Sequence, residues 1–219
     1  MAKYREPVLV VGLGRFGSAL ALELARNGTE VLAVDADLDL VQRHAGLLER
    51  VVAADATEIQ ALNEIGAQDF TRAVVAIGDN QEASILATSL LSEMGIPDLW
   101  AKALSDQHAR ILTRVGAHHV VLPEHEMGER IAHLVSGRLL DYVEIDQGWV
   151  MAKAKPPRDI VGIPLGETKL RTSRRVTVVG VKTAGDASFR HADSTTFLTY
   201  GDDILVMGRP EDVEAFVEG

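Results

Sequence analysis

The stretch VLVVGLGRFGSALALELARNGTEVLAVDAD, residues 8–37, decides the fold. It begins with a short apolar run, Val8–Val11, and continues through a glycine-rich turn into a helical pattern over Phe16–Asn27. A second apolar run, Val31–Val34, follows the helical pattern. Strands of a parallel sheet are apolar without alternation because helices bury both of their faces. The stretch therefore predicts a strand–helix–strand unit with glycines at the exit of its first strand.

The same alternation of short apolar runs and amphipathic stretches continues to about Val121. Further strands are predicted at Val51–Ala54, Ala73–Ile77, Leu99–Ala101 and His119–Leu122. Further helices are predicted at Leu38–Ala45, Glu58–Ile65, Gln81–Met94 and Asp106–Val115. Six strands in strict alternation with five helices predict an α/β fold with a Rossmann-like, doubly wound parallel sheet.

The pattern changes after Pro123. Over Glu124–Leu140 the apolar residues fall on one stripe, which predicts a single long helix. Beyond it we predict strands at Val143–Ile145, Trp149–Ala152, Val176–Val181 and Ile204–Met207, and a last helix at Pro210–Val217. The predicted domains are a Rossmann-like domain over residues 1–123, a helix over 124–140 and a small α+β lobe over 141–219.

Composition excludes several classes of protein. No apolar run approaches the roughly 18 residues of a membrane helix, and the first residues lack a signal-peptide core, so we expect a soluble, cytoplasmic protein. The absence of cysteine excludes disulfides, thiolate metal sites and a cysteine nucleophile. A formal net charge of −10 disfavours binding to nucleic acid or directly to anionic lipid.

The glycine-rich turn, Gly12-Leu-Gly-Arg-Phe-Gly17, has the G-x-G-x-x-G spacing of a nucleotide-binding turn. The first glycine permits a tight exit from the strand, the second lets a phosphate approach the backbone, and the third lets helix and strand pack closely. Asp35 ends the second strand, where its carboxylate would accept hydrogen bonds from ribose hydroxyls and repel a 2′-phosphate. The predicted nucleotide-binding residues here are Gly12, Gly14, Arg15, Phe16, Gly17 and Asp35.

Other candidates follow the remaining strands. Asp55, Ala56 and Thr57 come after the third strand, beside the expected position of adenine. Thr57 has a second interpretation, since a threonine before Glu58 could instead be the N-cap of the next helix.

Three charged residues lie close to the expected position of the phosphates. Arg15 could meet charge beyond a diphosphate, or be a solvated residue at the start of a helix. Lys102, at the end of the fifth strand, could pair with a phosphate or an aspartate, or be an ordinary strand-end lysine. Glu124, after the sixth strand, could hold a divalent cation against a phosphate, or be an acidic residue that the helix dipole favours.

Six motifs occur in order along the chain: Gly12–Gly17, Asp35, Ala54–Glu58, Val74–Gly78, Trp100–Ala103 and Pro123–Gly128. With them the chain resembles the RCK family, the regulators of potassium conductance. Its KtrA-like and TrkA-like members are cytoplasmic gating subunits of bacterial potassium-uptake systems. The resemblance implies ATP or ADP as ligand and no enzymatic activity. It implies that Arg15 approaches the terminal phosphate of ATP and that Glu124 contacts a cation, Mg²⁺ or Ca²⁺, which bridges nucleotides of neighbouring subunits.

The resemblance also implies an assembly. The helix over 124–140 corresponds to a crossover helix exchanged between the partners of a homodimer, and dimers assemble into an octameric ring. The ring docks on a KtrB-like or TrkH-like potassium-translocating membrane subunit, which holds it at the inner face of the cell membrane. In some KtrA-like proteins the C-terminal lobe binds cyclic di-AMP, and Arg171 falls where a phosphate-contacting arginine is expected. The neighbouring Thr172–Arg175 departs from the family's pattern.

Two other functions fit the same glycine-rich turn. A TrkA-like regulator would bind NAD(H), for which Asp35 is suited. An NAD-dependent oxidoreductase would also need a proton donor near the nicotinamide, and the C-terminal lobe offers no evident histidine or Tyr–Lys pair for that role.

Overall fold

The computed structural model describes residues 6–135, 140–146 and 148–218. The chain divides into two compact units, Met1–Glu124 and His125–Gly219. Within the described ranges, no helix combines the length and the apolar character needed to cross a membrane.

The first unit is built on a six-stranded sheet of order β3-β2-β1-β4-β5-β6, in which every described strand pair is parallel. Its strands are β1 (Val8–Val11), β2 (Val31–Asp35), β3 (Arg50–Ala53), β4 (Arg72–Val75), β5 (Asp98–Lys102) and β6 (His119–Val121). Its helices are α1 (Arg15–Arg26), α2 (Leu38–His44), α3 (Ile59–Glu64), α4 (Gln81–Glu93) and α5 (Asp106–Arg114). The predicted doubly wound parallel sheet is confirmed.

The sequence of the central strand β1 does not alternate because the strand is buried on both faces. Leu9 and Val11 belong to one buried apolar cluster, and Val8 and Val10 belong to another on the opposite face of the sheet. All four side chains are buried because apolar layers cover both faces. The strand predicted at Val51–Ala54 forms β3, which differs from β1 in its burial, because it lies at the edge of the sheet and is largely exposed.

The strand order reverses direction between β1 and β4, which are neighbours in the sheet. Connections leave these two strands towards opposite sides, and a crevice opens at their carboxyl ends. This topology brings together the loops that follow β1 to β6 and therefore positions the candidate site.

Helix α6 (Pro123–Val135) follows β6. The predicted helix over Glu124–Leu140 is wrong at its end, because Leu140 N–H donates to the carbonyl oxygen of Lys153 at 2.7 Å, in line with the first strand of the second unit. Residues 136–139 lie outside the described residues. An apolar stripe does not distinguish the last turn of a helix from the start of a half-buried strand, which explains the error.

The second unit contains an antiparallel five-stranded sheet of order β10-β9-β11-β8-β7. Its strands are β7 (Asp141–Asp146), β8 (Trp149–Ala154), β9 (Thr177–Lys182), β10 (Arg190–His191) and β11 (Asp203–Gly208). Its further helices are α7 (Leu165–Thr168), α8 (Leu170–Ser173) and α9 (Pro210–Glu218). The predicted α+β lobe is confirmed, although β10, α7 and α8 are too short to give a periodic signal.

Candidate functional site

A cleft of about 690 Å³ lies at the carboxyl ends of the strands of the first unit. Of the residues predicted from the sequence, it is lined by Gly12, Gly14, Arg15, Phe16, Asp35, Asp55, Ala56, Thr57, Lys102 and Glu124. Its lining also includes residues that sequence reasoning missed, namely Asp37, Gly78, Asp79 and Asn80. The last three lie in the loop that follows β4, so their position after a predicted central strand could have revealed them.

The three glycines of the turn have different surroundings. Gly12 has φ +99°, and a β-carbon there would lie 3.0 Å from the backbone of Ala76, so no other residue fits without strain. A β-carbon at Gly17 would lie 1.8 Å from the carbonyl oxygen of Gly12, and Gly17 therefore sets the close packing of α1 on β1. By contrast, a β-carbon at Gly14 would meet no atom within 4 Å. Gly12 and Gly17 build the turn, and Gly14 leaves open space beside it.

The start of α1 is suited to an anion. Its N-cap is Gly14, which has no side chain to accept a hydrogen bond from the first helical turn. The first N–H groups of a helix have no intrahelical acceptor, and together with the helix dipole they favour a negative charge at this position. A phosphate beside Gly14 would supply the missing acceptor oxygens.

Asp35 connects the end of β2 to the glycine turn. One carboxylate oxygen accepts a hydrogen bond from Leu13 N–H at 2.5 Å, and the other accepts from Asp37 N–H at 2.8 Å. These two bonds fix the orientation of the carboxylate at the rim of the cleft, and its remaining lone pairs can accept from ribose hydroxyls. Asp37 in turn caps α2 by accepting from Asp39 N–H at 2.8 Å.

Asp55 and Thr57 form a tight local turn after β3. Asp55 accepts from the Thr57 hydroxyl at 2.7 Å and from Thr57 N–H at 2.9 Å, and these two bonds hold the pKa of Asp55 below its usual range. The N-cap interpretation of Thr57 is wrong, because the N-cap of α3 is Glu58. Ala56 is buried, so it can contribute little more than its backbone to the cleft.

Lys102 and Glu124 meet at the far side of the cleft. Lys102 Nζ donates to Glu124 Oε1 at 2.7 Å, and the side chains are 8% and 63% exposed respectively. This hydrogen bond, with smaller contributions from the charges of Lys102 and Arg15, holds the pKa of Glu124 below its usual range. Lys102 Nζ also lies 5.9 Å from the centroid of the Phe16 ring, which is within range of a cation–π interaction.

The charges lining the cleft are mixed. The carboxylates are Asp35, Asp37, Asp55, Asp79 and Glu124, and the cations are Arg15 and Lys102. Among the described residues, no group of three or more histidine, aspartate or glutamate side chains is arranged to hold a metal ion. The cation predicted at Glu124 stays a prediction.

Arg171 lies in the second unit, on α8, and not in the cleft. It lines a hollow of about 280 Å³ together with Trp149, Arg175, Thr177, Arg209 and Asp212. Within the described part of the chain, none of these three arginines forms an ion pair with a carboxylate. The hollow therefore has the charge that a phosphate-bearing ligand needs.

Residues 8–123 match the family defined by the TrkA-N domain. The chain belongs to the TrkA-N family. The RCK resemblance seen in the sequence is thereby confirmed. Ktr system potassium uptake protein C of Bacillus subtilis is 34% identical to this TrkA-N protein over 208 residues, which are 94% of each chain. Ktr system potassium uptake protein A of Vibrio alginolyticus is 35% identical over 204 residues, 93% of this chain and 92% of that protein.

Among solved structures, the GsuK channel bound to NAD matches this TrkA-N protein with a TM-score of 0.54 at 21% identity. The match covers all of this chain and 39% of that one, so the chain spans well under half of the channel's length. At this level of identity the likeness supports the fold.

Proposed function

We propose that this TrkA-N protein is the nucleotide-sensing regulatory subunit of a bacterial potassium-uptake system, with ATP and ADP as its ligands. Two relatives with over 90% coverage are named as potassium uptake proteins of Ktr systems. The observation that carries the ligand proposal is the open space beside Gly14 at an uncapped helix start, flanked by Arg15.

In the proposed complex, adenine lies against Asp55, Ala56 and Thr57, and the ribose hydroxyls donate to Asp35. The phosphates accept from the first N–H groups of α1, and the terminal phosphate of ATP extends towards Arg15. ADP makes the same contacts except the last. A ligand shifts a conformational equilibrium only by its difference in affinity for the two conformations, so this contact is where ATP and ADP can be distinguished.

Assembly is part of the proposal. On α6 the side chains of Met127, Ile131 and Val135 are 51%, 46% and 79% exposed, and their spacing of four residues places them on one stripe. An apolar stripe of this kind favours burial against a second copy, as expected for a crossover helix in a homodimer. We further propose an octameric ring of such dimers, with Mg²⁺ or Ca²⁺ between Glu124 and the nucleotide phosphates.

The remaining parts of the proposal concern partners. A KtrB-like or TrkH-like potassium-translocating membrane subunit would hold the ring at the cytoplasmic face of the membrane. Cyclic di-AMP is proposed as a second ligand at Arg171, supported by the three arginines that line that hollow. An NAD(H)-binding regulator is the second candidate, supported by Asp35, whose carboxylate is oriented by two backbone hydrogen bonds and could accept from ribose hydroxyls.

The test is a pair of alanine substitutions in the full chain. Gly14→Ala places a methyl group in the proposed phosphate position without backbone strain, because Gly14 has φ −62°. Gly46→Ala makes the same change at a glycine that also has open space around it but does not line the cleft. We expect Gly14→Ala to weaken ATP and ADP binding by about tenfold or more in calorimetry, and Gly46→Ala to leave it unchanged.

The same two variants test the transport role. In a strain that lacks the gene, Gly46→Ala should restore growth at low potassium, and Gly14→Ala should not. A wild-type chain that binds no adenine nucleotide would contradict the proposal, as would full rescue of growth by a Gly14→Ala variant that no longer binds ATP.

A further inference from the structure

The second half of the cleft is occupied by Lys102. In a dinucleotide site of this fold the second nucleoside lies beyond the switch point, over the carboxyl ends of β4 and β5. Lys102 ends β5 and is only 7% exposed. Its Nζ would lie 3.1 Å from a β-carbon built at Gly78, the glycine that follows β4 by three residues. The ammonium group therefore stands directly over the space that a second nucleoside would need.

The two members of the Lys102–Glu124 pair differ in how firmly they are held. A buried ammonium group requires a nearby anion, because its removal from water is costly when it is unpaired. Lys102 is enclosed between Gly78 and the Phe16 ring, whereas the Glu124 side chain is 63% exposed. Glu124 can turn into water without leaving a buried charge of its own. The anion beside Lys102 is thus exchangeable, and the cation is fixed.

We propose that Lys102 determines which adenine nucleotide the cleft accepts, because a free terminal phosphate replaces the Glu124 carboxylate as its counter-ion. The inference rests on the proposed function and specifies its ligand class as a nucleoside polyphosphate with an unesterified terminal phosphate. A terminal phosphate carries up to two negative charges and three acceptor oxygens, which match the three donors of an ammonium group.

A dinucleotide lacks this group. Both of its phosphates are esterified, so it brings no terminal dianion to Lys102, and its second ribose needs the space over Gly78. To enter, it would have to displace Lys102 or separate it from Glu124 without providing a replacement anion. NAD⁺ would also bring a positively charged ring towards an ammonium group. The chain therefore favours ADP over a compound in which the β-phosphate of ADP is esterified by a second sugar.

The decisive comparison is ADP against ADP-ribose, which differ only in the ribose on the terminal phosphate. Calorimetry on the full chain, without divalent cations, would compare ADP, ATP, ADP-ribose and NADH. We expect the wild type to bind ADP about tenfold or more tightly than ADP-ribose, since a buried charge pair is at stake. Lys102→Met, which keeps the length but removes the charge, should reduce this ratio to about threefold or less.

Two further variants control the measurement. Lys155→Met removes a lysine that is likewise 2.7 Å from a carboxylate, that of Asp203, but in the second unit, and it should leave the ratio unchanged. Glu124→Gln removes the competing carboxylate and leaves Lys102 without that anion in the ligand-free protein, so a melting curve is recorded first to check that the first unit still folds. Glu124→Gln should tighten ADP binding by about threefold or more and leave ADP-ribose unchanged.

The outcomes separate the two proposals. If the wild type binds none of the four compounds, the proposed function and this inference both fail. If the wild type binds ADP and ADP-ribose equally well, or if Lys102→Met weakens both by the same factor, Lys102 does not select the ligand, and the proposed function stands without it. Weaker ADP binding in Glu124→Gln would likewise contradict the exchange of counter-ions.

Discussion

The substitution Gly17→Ala should destabilise the first unit, although Gly17 does not line the cleft. A β-carbon there would lie 1.8 Å from the Gly12 carbonyl oxygen and 3.0 Å from the β-carbon of Ala76. Ordinary contacts begin at 3.4 Å. The start of α1 would have to move away from β1 by roughly 1.5 Å, and close-packed interiors resist such a shift.

The magnitude follows from the kind of atom that is in the way. Adding a methylene group to a packed interior costs about 1–3 kcal/mol when neighbouring side chains can adjust. At Gly17 the obstacle is a backbone carbonyl at the end of a central strand, which has no alternative rotamer. We therefore expect a loss of about 3 kcal/mol or more in the free energy of unfolding. For a unit of this size that lowers the melting temperature by about 10 °C.

The assay can be confined to the first unit. The chain has two tryptophans, and Trp100 lies in the first unit whereas Trp149 lies in the second. In a Trp149→Phe background, the fluorescence of Trp100 reports thermal unfolding of the first unit, and Gly46→Ala is the matched control. A melting temperature of Gly17→Ala within about 3 °C of its parent would refute the steric reasoning.

Three further predictions concern the ligand, the pH dependence and the core. Arg15→Ala should narrow the ratio of ATP to ADP affinity measured by calorimetry, and an unchanged ratio would count against its place at the terminal phosphate. Burial lowers the pKa of His108 in the folded protein. As the pH falls below about 6.5, His108 is therefore protonated in the unfolded chain before it is protonated in the folded one, and the free energy of unfolding decreases. The variant His108→Asn can still accept a hydrogen bond from Leu104 N–H. In urea titrations it should lose less stability than the wild type between about pH 7 and pH 5.5. Equal losses in the two proteins would contradict this role of His108. Leu112→Ala should lower the free energy of unfolding by about 2–5 kcal/mol because Leu112 is fully buried. Its neighbour Ile111 is 42% exposed on the same helix, so Ile111→Ala should lower it by about 1 kcal/mol or less. Similar losses for the two variants would contradict the assigned core.

The parallel sheet could be predicted from sequence because β1 and β2 are buried on both faces and the helices between the strands are long enough to show a period. The second unit was harder. Its strand β10 has two residues, and α7 and α8 have four each, so each covers only about one period and no repeat can be recognised. Leu140 shows the same difficulty, since its strand hydrogen bond depends on a residue thirteen positions later.

The site could be predicted to the extent that topology determines it. Residues after parallel strands meet at one sheet edge, and that rule placed Asp35, Asp55, Lys102 and Glu124 around one cleft. Sequence could not show that Lys102 donates a hydrogen bond to Glu124, because the two residues are 22 positions apart. Each also has a simple interpretation of its own, as a lysine at the end of a strand and as an acidic residue at the start of a helix. It also could not show that the Thr57 hydroxyl donates to Asp55, or that α3 begins after Glu58, and this later start makes the N-cap interpretation of Thr57 wrong.

The missing side chain at the N-cap of α1 has a practical consequence. With Gly14 at this position, only solvent or a bound anion can complete the hydrogen bonding of the first turn. Amide deuterium exchange at residues 15–17 should therefore slow when an oxyanion binds, even inorganic sulfate or phosphate from the buffer. Samples purified in such buffers would start out partly protected, and weak nucleotide affinities measured in them would be understated.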